Sequence, residues 1–243
     1  YHYGSPSFSA NINAYRTAWE NKPTRSVSAQ FTNPVTDELE DTFGDIPGMD
    51  ALHKGIEIDF VYKIFHNLNL QGVISLGDWT WDKKVDSLQM YYRDNGEPAN
   101  VIGFDARGIH VGDAAQTQLG ASVRYEPLNN LYFKTRVTRF ARHYADFNPE
   151  NTTDDQGNPV DSWKAPAYTK VNAFAGYRFT LDALQKTTFS LRFNIYNVLN
   201  TKYIADARNN DNYIQKQFGE FDAKSAAVFF GAPRQYKFSL QVQ

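Results

Sequence analysis

The chain has 243 residues, a net charge of −2 and no cysteine. This excludes a disulfide-stapled fold and a Cys-ligated metal site, and it leaves no global positive field that would favour nucleic acid. Aromatic residues make up 15% of the chain although only 42% of it is hydrophobic, and no run of roughly 18 apolar residues exists, which excludes a bundle of transmembrane helices.

Alternation of apolar and polar residues, the pattern of a β-strand with two different faces, recurs along almost the whole chain. In the first such segment, Phe8 and Ala10 alternate with Ser9 and Asn11. The alternation, less regular in some segments, predicts strands over 7–20, 26–31, 53–66, 68–83, 117–125, 131–140, 171–179, 189–195 and 235–242. We therefore predict an all-β chain of nine strands, with no helix longer than a turn or two.

The predicted connections alternate in length. Short connections at 21–23, 66–67, 127–130 and 181–186 alternate with long ones at 32–52, 84–115, 148–167 and 201–230. Loops longer than about 12–15 residues are uncommon in compact domains. Tight turns on one rim and long loops on the other are typical of an antiparallel up-and-down transmembrane β-barrel, with short periplasmic turns and long extracellular loops.

Two-faced strands fit either a soluble sandwich, with the apolar face inward, or a barrel, with the apolar face toward lipid. The predicted strands of up to 16 residues exceed the usual 5–6 of globular sheets. Aromatic residues such as Trp19, Phe65 and Tyr125 lie near strand ends, where a membrane barrel places its interfacial girdles. Both features favour the barrel. Because bacterial single-chain barrels have even strand numbers, nine strands predict that further strands precede Tyr1.

Four segments carry a family resemblance: HKGIEID at 53–59, GDWTW at 77–81, NIYNVLNTKY at 194–203 and GAPR at 231–234. They resemble the C-terminal barrel of TonB-dependent outer-membrane receptors, in particular those of the Bacteroidetes type. The resemblance covers essentially the whole chain. It implies that the nine strands are the last nine of a 22-stranded barrel with a plugged lumen.

The resemblance also implies a domain arrangement and a function. Residues 1–243 would be the C-terminal part of the barrel, with the plug domain and the TonB box upstream of residue 1. The implied activity is TonB-dependent active uptake of a scarce nutrient across the cell outer membrane: a ferric siderophore, haem, cobalamin or a glycan. Family members usually end on an aromatic residue, whereas this chain ends Val242-Gln243; either further residues follow or the assembly signal differs.

The implied partners are TonB, reached through the upstream segment, and a small-molecule or glycan nutrient. A surface lipoprotein and the lipid of the outer membrane, including lipopolysaccharide, complete the set, and no nucleic acid is expected. Two alternatives remain open at this point. One is a passive porin-like outer-membrane barrel, and the other is a soluble β-sandwich that binds glycans.

Aromatic residues supply the candidate ligand-binding residues. Trp79 and Trp81 stand at odd-numbered positions, as Gln71 and Ser75 do, and are therefore predicted on the polar face of their strand. There they could stack on a sugar or a siderophore ring at the extracellular mouth. The alternative is packing at the rim. Candidates on the long loops are Tyr91, Tyr92, Arg93, Trp163 and Tyr213, which could equally pack the loops on one another.

One further motif suggests a covalent modification at the surface, and the motifs of catalytic and metal sites are missing. Asp86-Ser87-Leu88 matches a short O-glycosylation pattern of Bacteroidetes, which makes Ser87 a candidate acceptor. No phosphate-binding loop, serine elbow or cysteine nucleophile exists, and no histidine pair has metal-ligand spacing. We therefore predict no catalytic residue, no metal and no cofactor, and the protein is not expected to be an enzyme.

Overall fold

The computed structural model describes residues 1–24, 26–112, 114–147, 149, 152, 160–209 and 226–243. These residues form β-strands almost throughout, and a 3₁₀ turn spans Asp182–Leu184. Within these ranges, no helix has the length and hydrophobicity needed to cross a membrane.

The largest element is a nine-stranded sheet in which every neighbouring pair is antiparallel. We call it the wall. Its strands, in spatial order, are β1 (His2–Gly4), β2 (Phe8–Lys22), β5 (Met49–Phe65), β6 (Leu68–Trp81), β9 (Thr117–Leu128), β10 (Leu131–Ala141), β13 (Tyr168–Leu181), β14 (Thr187–Tyr196) and β17 (Gln235–Val242). The up-and-down, antiparallel, all-β prediction is confirmed.

The strand predicted at 26–31 is present, but its predicted place among the nine barrel strands is wrong. The segment 26–31 does not join the wall, and the ninth wall strand is β1 instead. Residues 21–23 are therefore no tight turn between wall strands. Strand β2 pairs with β5 as far as Lys22 opposite Met49, and the chain then leaves the wall. Alternation shows that a segment has two faces, but it does not show which sheet the segment joins.

The predicted long loops 32–52 and 84–115 contain a second sheet. Its strands, in order, are β3 (Val27–Thr32), β4 (Leu39–Gly44), β7 (Lys84–Tyr92) and β8 (Pro98–Asp105). Two further pairs stand beyond the same rim: β11 (His143–Tyr144) with β12 (Lys164–Ala165), and β15 (Ile204–Asn209) with β16 (Ala226–Phe230). Where the structure describes them, the long connections contain β-ladders, which satisfy backbone hydrogen bonds.

The register of the wall separates two faces. Ile12 lies opposite Ile58, Ile58 opposite Ile74, and Ile74 opposite Leu119. Such pairs form an apolar face whose side chains remain exposed, among them Ile12, Ile56, Leu76, Leu119, Val137, Phe193 and Phe238. The described residues leave this face uncovered, so the soluble β-sandwich alternative does not fit.

The main hydrophobic core lies on the other, polar face of the wall, at the rim of the long connections. Met49, Ala51 and Trp81 extend the polar-face side of β5 and β6 beyond Glu57 and Ser75. They pack against the buried side of the second sheet, formed by Val27, Ala29, Val85, Leu88, Met90 and Phe104. The second sheet therefore covers the polar face at this rim.

Two of the resemblance segments meet where β14 returns to β17. The Asn197 side chain donates to the carbonyl oxygens of Thr201, at 3.0 Å, and Ala232, at 3.3 Å. Asn200 Oδ1 accepts from the backbone N–H of Arg234 at 3.0 Å, and Gly231 donates its N–H to the carbonyl of Tyr203. These bonds join the start of the long connection between β14 and β17 to its end, so the two motifs are adjacent in space although they are far apart in sequence.

Candidate ligand-binding site at the long-connection rim

A layer of aromatic rings lies on the polar face of the wall, directly below the second sheet. Trp79 donates its indole N–H to the hydroxyl of Tyr15 at 2.8 Å. His53 stacks on Trp79, with ring centroids 5.2 Å apart and an interplanar angle of 14°, and Trp19 lies 6.2 Å from His53. We call Tyr15, Trp19, His53 and Trp79 the mouth layer.

Two opposed glycines make room for the mouth layer. Gly55 lies opposite Gly77 and also opposite Tyr15. A Cβ on Gly55 would lie 2.6 Å from the Tyr15 hydroxyl oxygen, and a Cβ on Gly77 would lie 2.7 Å from Trp79 Nε1. Both distances are shorter than van der Waals contact, so the rings approach the backbone only because these positions lack side chains.

A buried glutamine fixes the backbone of Trp79. Gln116 is 1% exposed; its Oε1 accepts from the Trp79 N–H and its Nε2 donates to the Trp79 carbonyl, both at 3.0 Å. This reciprocal pair continues the ladder of β6 past the end of β9. Tyr15, His53 and Gln116 were missed as members of this site, because only the cross-strand register brings them to Trp79.

Three of the predicted binding residues are buried in packing. Trp81 is 6% exposed, and its ring centroid lies 5.5 Å from that of Phe147. The Lys22 ammonium lies 5.1 Å from the centroid of the Trp81 ring. Tyr92 is buried, and Trp163 lies in a small core with Ala145, Ala165 and Ala207. In this conformation these rings stabilise the rim and are not open to a ligand.

Two predicted residues, Tyr91 and Arg93, lie on the exposed side of the second sheet. Tyr91 is 37% exposed, and its ring centroid is 6.0 Å from that of Phe43. The Arg93 guanidinium carbon lies 5.9 Å from the Phe43 ring, and Nη2 donates to Ser28 Oγ at 3.1 Å. We call Phe43, Tyr91 and Arg93 the loop cluster. Aromatic faces beside a cation suit a planar or anionic ligand.

The other candidates are separate from these two groups. Ser87 is exposed, in an irregularity of β7 between Val85 and Leu88. Tyr213 lies outside the described residues, so its placement stays a prediction. The described residues hold no group of three or more His, Cys, Asp or Glu side chains that could bind a metal ion.

The polar face of the wall is divided in charge. On β5 the acidic Glu57 and Asp59 share this face with one cation, Lys63, and Asp59 accepts from the Asn11 amide at 2.9 Å. Cations recur on the strands from β9 to β17: Arg124, Lys134, Arg136, Lys170, Arg178, Arg192 and Lys237. A cavity of about 410 Å³ near the tight turns is lined in part by Arg124, Arg178, Arg192 and Glu126, whose carboxylate accepts from Arg124 Nε at 2.6 Å and leaves a net positive lining. This half of the face therefore presents positive charge to whatever occupies the space before it.

Several ionisable groups beyond the wall have shifted pKa values, among them Asp105 and His143. The hydrogen bond from Arg107 lowers the pKa of Asp105 to about 2, so this exposed pair stays ionised at neutral pH. Burial lowers the pKa of His143, and the nearby Asp206 and Asp146 only partly oppose the shift. His143 is therefore neutral at pH 7 and packs as part of the rim.

Residues 1–198 match the family model described as "TonB dependent receptor-like, beta-barrel". No curated protein sequence matches the chain. The Bacteroidetes type is not distinguished by these comparisons and stays a prediction.

Solved structures similar to this chain include a transporter and a siderophore receptor. The unliganded ferric citrate transporter FecA is 15% identical and superposes with a TM-score of 0.54 over 99% of this chain. The siderophore receptor PirA from Acinetobacter baumannii is 13% identical, with a TM-score of 0.49 over 98% of this chain. The chain spans 29% of the FecA chain and 30% of the PirA chain.

Proposed function

The chain belongs to the TonB-dependent receptor β-barrel family, and from this premise we propose that it is the C-terminal wall of a receptor that imports a scarce nutrient through the outer membrane. The observation that carries the proposal is the wall itself. One face is apolar and exposed across nine strands, as contact with lipid requires, and the other face is polar, as a lumen requires. In the whole protein, a plug upstream of residue 1 would fill that lumen and pass the pull of TonB to the ligand.

Ligand capture is assigned to the long-connection rim. The loop cluster offers Tyr91, Phe43 and Arg93 on an exposed sheet face, and the mouth layer with Trp79 lies below the second sheet on the luminal side. A ligand held at the loop cluster would meet the mouth layer next on its way inward. Among ferric siderophores, haem, cobalamin and glycans, the cations from β9 to β17 favour an anionic nutrient such as a ferric siderophore.

The uptake proposal is tested in cells that carry the full-length receptor. We expect accumulation of radioactive iron from anionic ferric siderophores to require both the receptor and TonB, and to stop when the proton-motive force is collapsed. Uptake that persists without TonB would contradict active transport and support the passive porin-like alternative. A surface lipoprotein partner would be identified by co-purification with the full-length receptor.

The capture site is tested with matched charge removals. Arg93→Gln removes the loop-cluster cation, whereas Arg107→Gln removes another exposed cation, one that pairs with Asp105. We expect the first variant to bind the siderophore about fivefold to tenfold more weakly, the effect of losing one charge-assisted contact. The second variant is expected to bind like the wild type. Equal affinities for all three proteins would remove the loop cluster from the site.

Ser87 is proposed as a surface glycosylation site because it is exposed on β7, beyond the wall. Mass spectrometry of the receptor from its native host is expected to place a glycan on the peptide containing Asp86-Ser87-Leu88. Detection of this peptide only in its unglycosylated form would contradict the assignment.

A further inference from the structure

We propose that the polar face of the wall from β9 to β17 carries an exit site for polycarboxylate anions, lined by Arg124, Arg178 and Arg192 and reached along a column of cations. The inference rests on the proposed function in one respect, because the polar face must line the lumen. It goes further by naming the groups that hold an anion last, at the end of the lumen opposite the long connections.

The cations of this half of the wall recur at every second residue along the register. We call Lys170, Arg136, Lys134, Arg192 and Arg178 the cation column. In that order, the register places them level with positions 138, 136, 134, 132 and 130 of β10 and the turn before it. The column therefore runs from the long-connection rim to the tight turns.

The spacing of the column suits stepwise movement of an anion. Alternate residues lie about 7 Å apart along a strand, which is less than the Debye length of about 8 Å at physiological salt. An anion beside one cation is therefore already attracted by the next. A surface lined by one sign of charge also concentrates the opposite ion in front of it.

Few acidic groups compensate these cations. In the described wall strands from β9 to β17, Glu126 is the one acidic residue on the polar face. Its carboxylate accepts from Arg124 Nε at 2.6 Å, which leaves the Nη groups of Arg124 for a second anion. Arg178 and Arg192 are exposed, and their guanidinium groups make no ion pair or hydrogen bond with the residues that the structure describes.

The column ends in the cavity of about 410 Å³ near the tight turns. Gly176 belongs to its lining, and the missing side chain there leaves room for the ring of Tyr132. The Arg124 guanidinium lies 3.9 Å from the centroid of that ring. The ring therefore holds Arg124 beside the cavity that Arg178 and Arg192 also line. The volume lies within the range of about 300–1,000 Å³ that is typical of small-molecule sites.

Carboxylate is the chemistry that fits this cavity. A guanidinium group binds a carboxylate through two parallel N–H···O hydrogen bonds, and three arginines offer three such groups. Asn130 and Ser190 add neutral polar groups to the same lining. A single phosphate would fill only a small part of the volume, whereas a ligand with several carboxylates would reach separate guanidinium groups at once. We therefore assign the site to polycarboxylates.

The binding test uses the full-length receptor, purified in detergent and titrated with the tricarboxylate tricarballylate in a calorimeter. The neutral trimethyl ester of tricarballylate and inorganic phosphate are the comparison ligands. The test variants are Arg178→Gln, Arg192→Gln and their combination, which remove no contact among the described residues. Lys63→Gln is the matched control, because Lys63 is an exposed cation of the same face near the tight turns and does not line the cavity.

We expect the wild type and Lys63→Gln to bind tricarballylate equally. Each arginine substitution should weaken binding about fivefold to tenfold, the effect of losing one charge-assisted contact, and the neutral ester should bind to none of the proteins. Arginine variants that bind like the wild type would overturn the proposal, and tighter binding of phosphate than of tricarballylate would overturn the assignment to polycarboxylates. A wild type that binds no tricarballylate, with a lower urea midpoint in the variants, would show that the arginines hold acidic groups of the plug instead.

Uptake of radioactive iron from an anionic ferric siderophore separates exit from capture. The double variant is expected to bind the siderophore at the surface of de-energised cells like the wild type, but to have a lower maximal uptake rate. A wild-type uptake rate, or a loss of surface affinity alone, would overturn the exit site. Absence of TonB-dependent uptake in the wild type would contradict the proposed function, and the calorimetric test, which needs no TonB, would still decide whether the exit site exists.

Discussion

The ring of Tyr132 occupies the space that a side chain at Gly176 would need. The two residues lie opposite each other on β10 and β13, and a Cβ at position 176 would lie 2.2 Å from Tyr132 Cε1. The Arg124 guanidinium lies 3.9 Å from the centroid of the same ring. Phe60 stands in the same relation to Gly72 on β5 and β6. Aromatic rings placed over strand glycines therefore recur in this wall.

Gly176→Ala is expected to destabilise the barrel, because the new methyl group must displace Tyr132 and its contact with Arg124. Overpacking of this kind costs about 1–3 kcal/mol. The full-length receptor is unfolded in urea, and the folded fraction at each concentration is read from the mobility of the folded barrel in unheated gels. The midpoints of unfolding are then compared. Gly120→Ala is the control, because a Cβ there would meet nothing closer than 3.7 Å. An equal midpoint for both variants would contradict the role assigned to Tyr132.

Tyr15→Phe is expected to remove the acceptor of the Trp79 indole N–H while leaving the ring in place. Loss of one such hydrogen bond costs about 1 kcal/mol, and the fluorescence of Trp79 should change because its indole loses that partner. Tyr62→Phe is the control, since the Tyr62 side chain faces outward and is 42% exposed. Unchanged stability and fluorescence in Tyr15→Phe would show that the mouth layer is held by stacking alone.

Asn197 is expected to be the most sensitive residue of the last hairpin. It has a φ of 53°, it is buried, and its side chain bonds to Thr201 and Ala232. Asn197→Gly keeps the backbone conformation and loses only the side-chain bonds, whereas Asn197→Ala loses both. We expect destabilisation by about 1–3 kcal/mol in the glycine variant and by more in the alanine variant. The reverse order in urea unfolding would contradict this account.

Acidification is expected to loosen the contacts around His143. Because burial lowers its folded pKa below 6.5, the unfolded form binds the proton more readily. The stability of this region therefore falls as the pH drops below about 6.5 toward the folded pKa and is unaffected above it. Hydrogen exchange of β11 and β12, corrected for intrinsic rates, should show this loss, and His143→Gln should abolish it. Protection that is constant from pH 7.5 to pH 5 would be the contrary result.

Much of the wall could be predicted from the sequence because the alternation of apolar and polar residues within one strand shows which residues share a face. The alternation of Ile56, Ile58 and Phe60 with Glu57 and Asp59 needs no knowledge of neighbours, and the register places these sets on opposite faces. The strand at 26–31 shows the limit of this reasoning. Its alternation is real, but its partner is β4, and nothing within the segment selects β4 over a wall strand.

The candidate site was less predictable because it depends on contacts distant in sequence. Parity correctly placed Trp79 on the polar face, but Tyr15 and Gln116 reach it only through the register of β2, β5 and β6 and the fold of a later connection. Trp81 has the same parity, yet the second sheet buries it. Alternation within one strand cannot show that another sheet will cover part of its face.

The most direct test of the two-faced wall is a spin-label scan along β10 of the full-length receptor in lipid bilayers. This chain contains no cysteine, so single cysteines can be placed at positions 132 to 138 once any cysteines elsewhere in the receptor are replaced. We expect labels at Phe133, Thr135 and Val137 to be accessible to oxygen dissolved in the lipid, and labels at Tyr132, Lys134 and Arg136 to be shielded from it. Accessibility without this period of two, or with the two sets exchanged, would contradict the assignment of the apolar face to lipid and the polar face to the lumen.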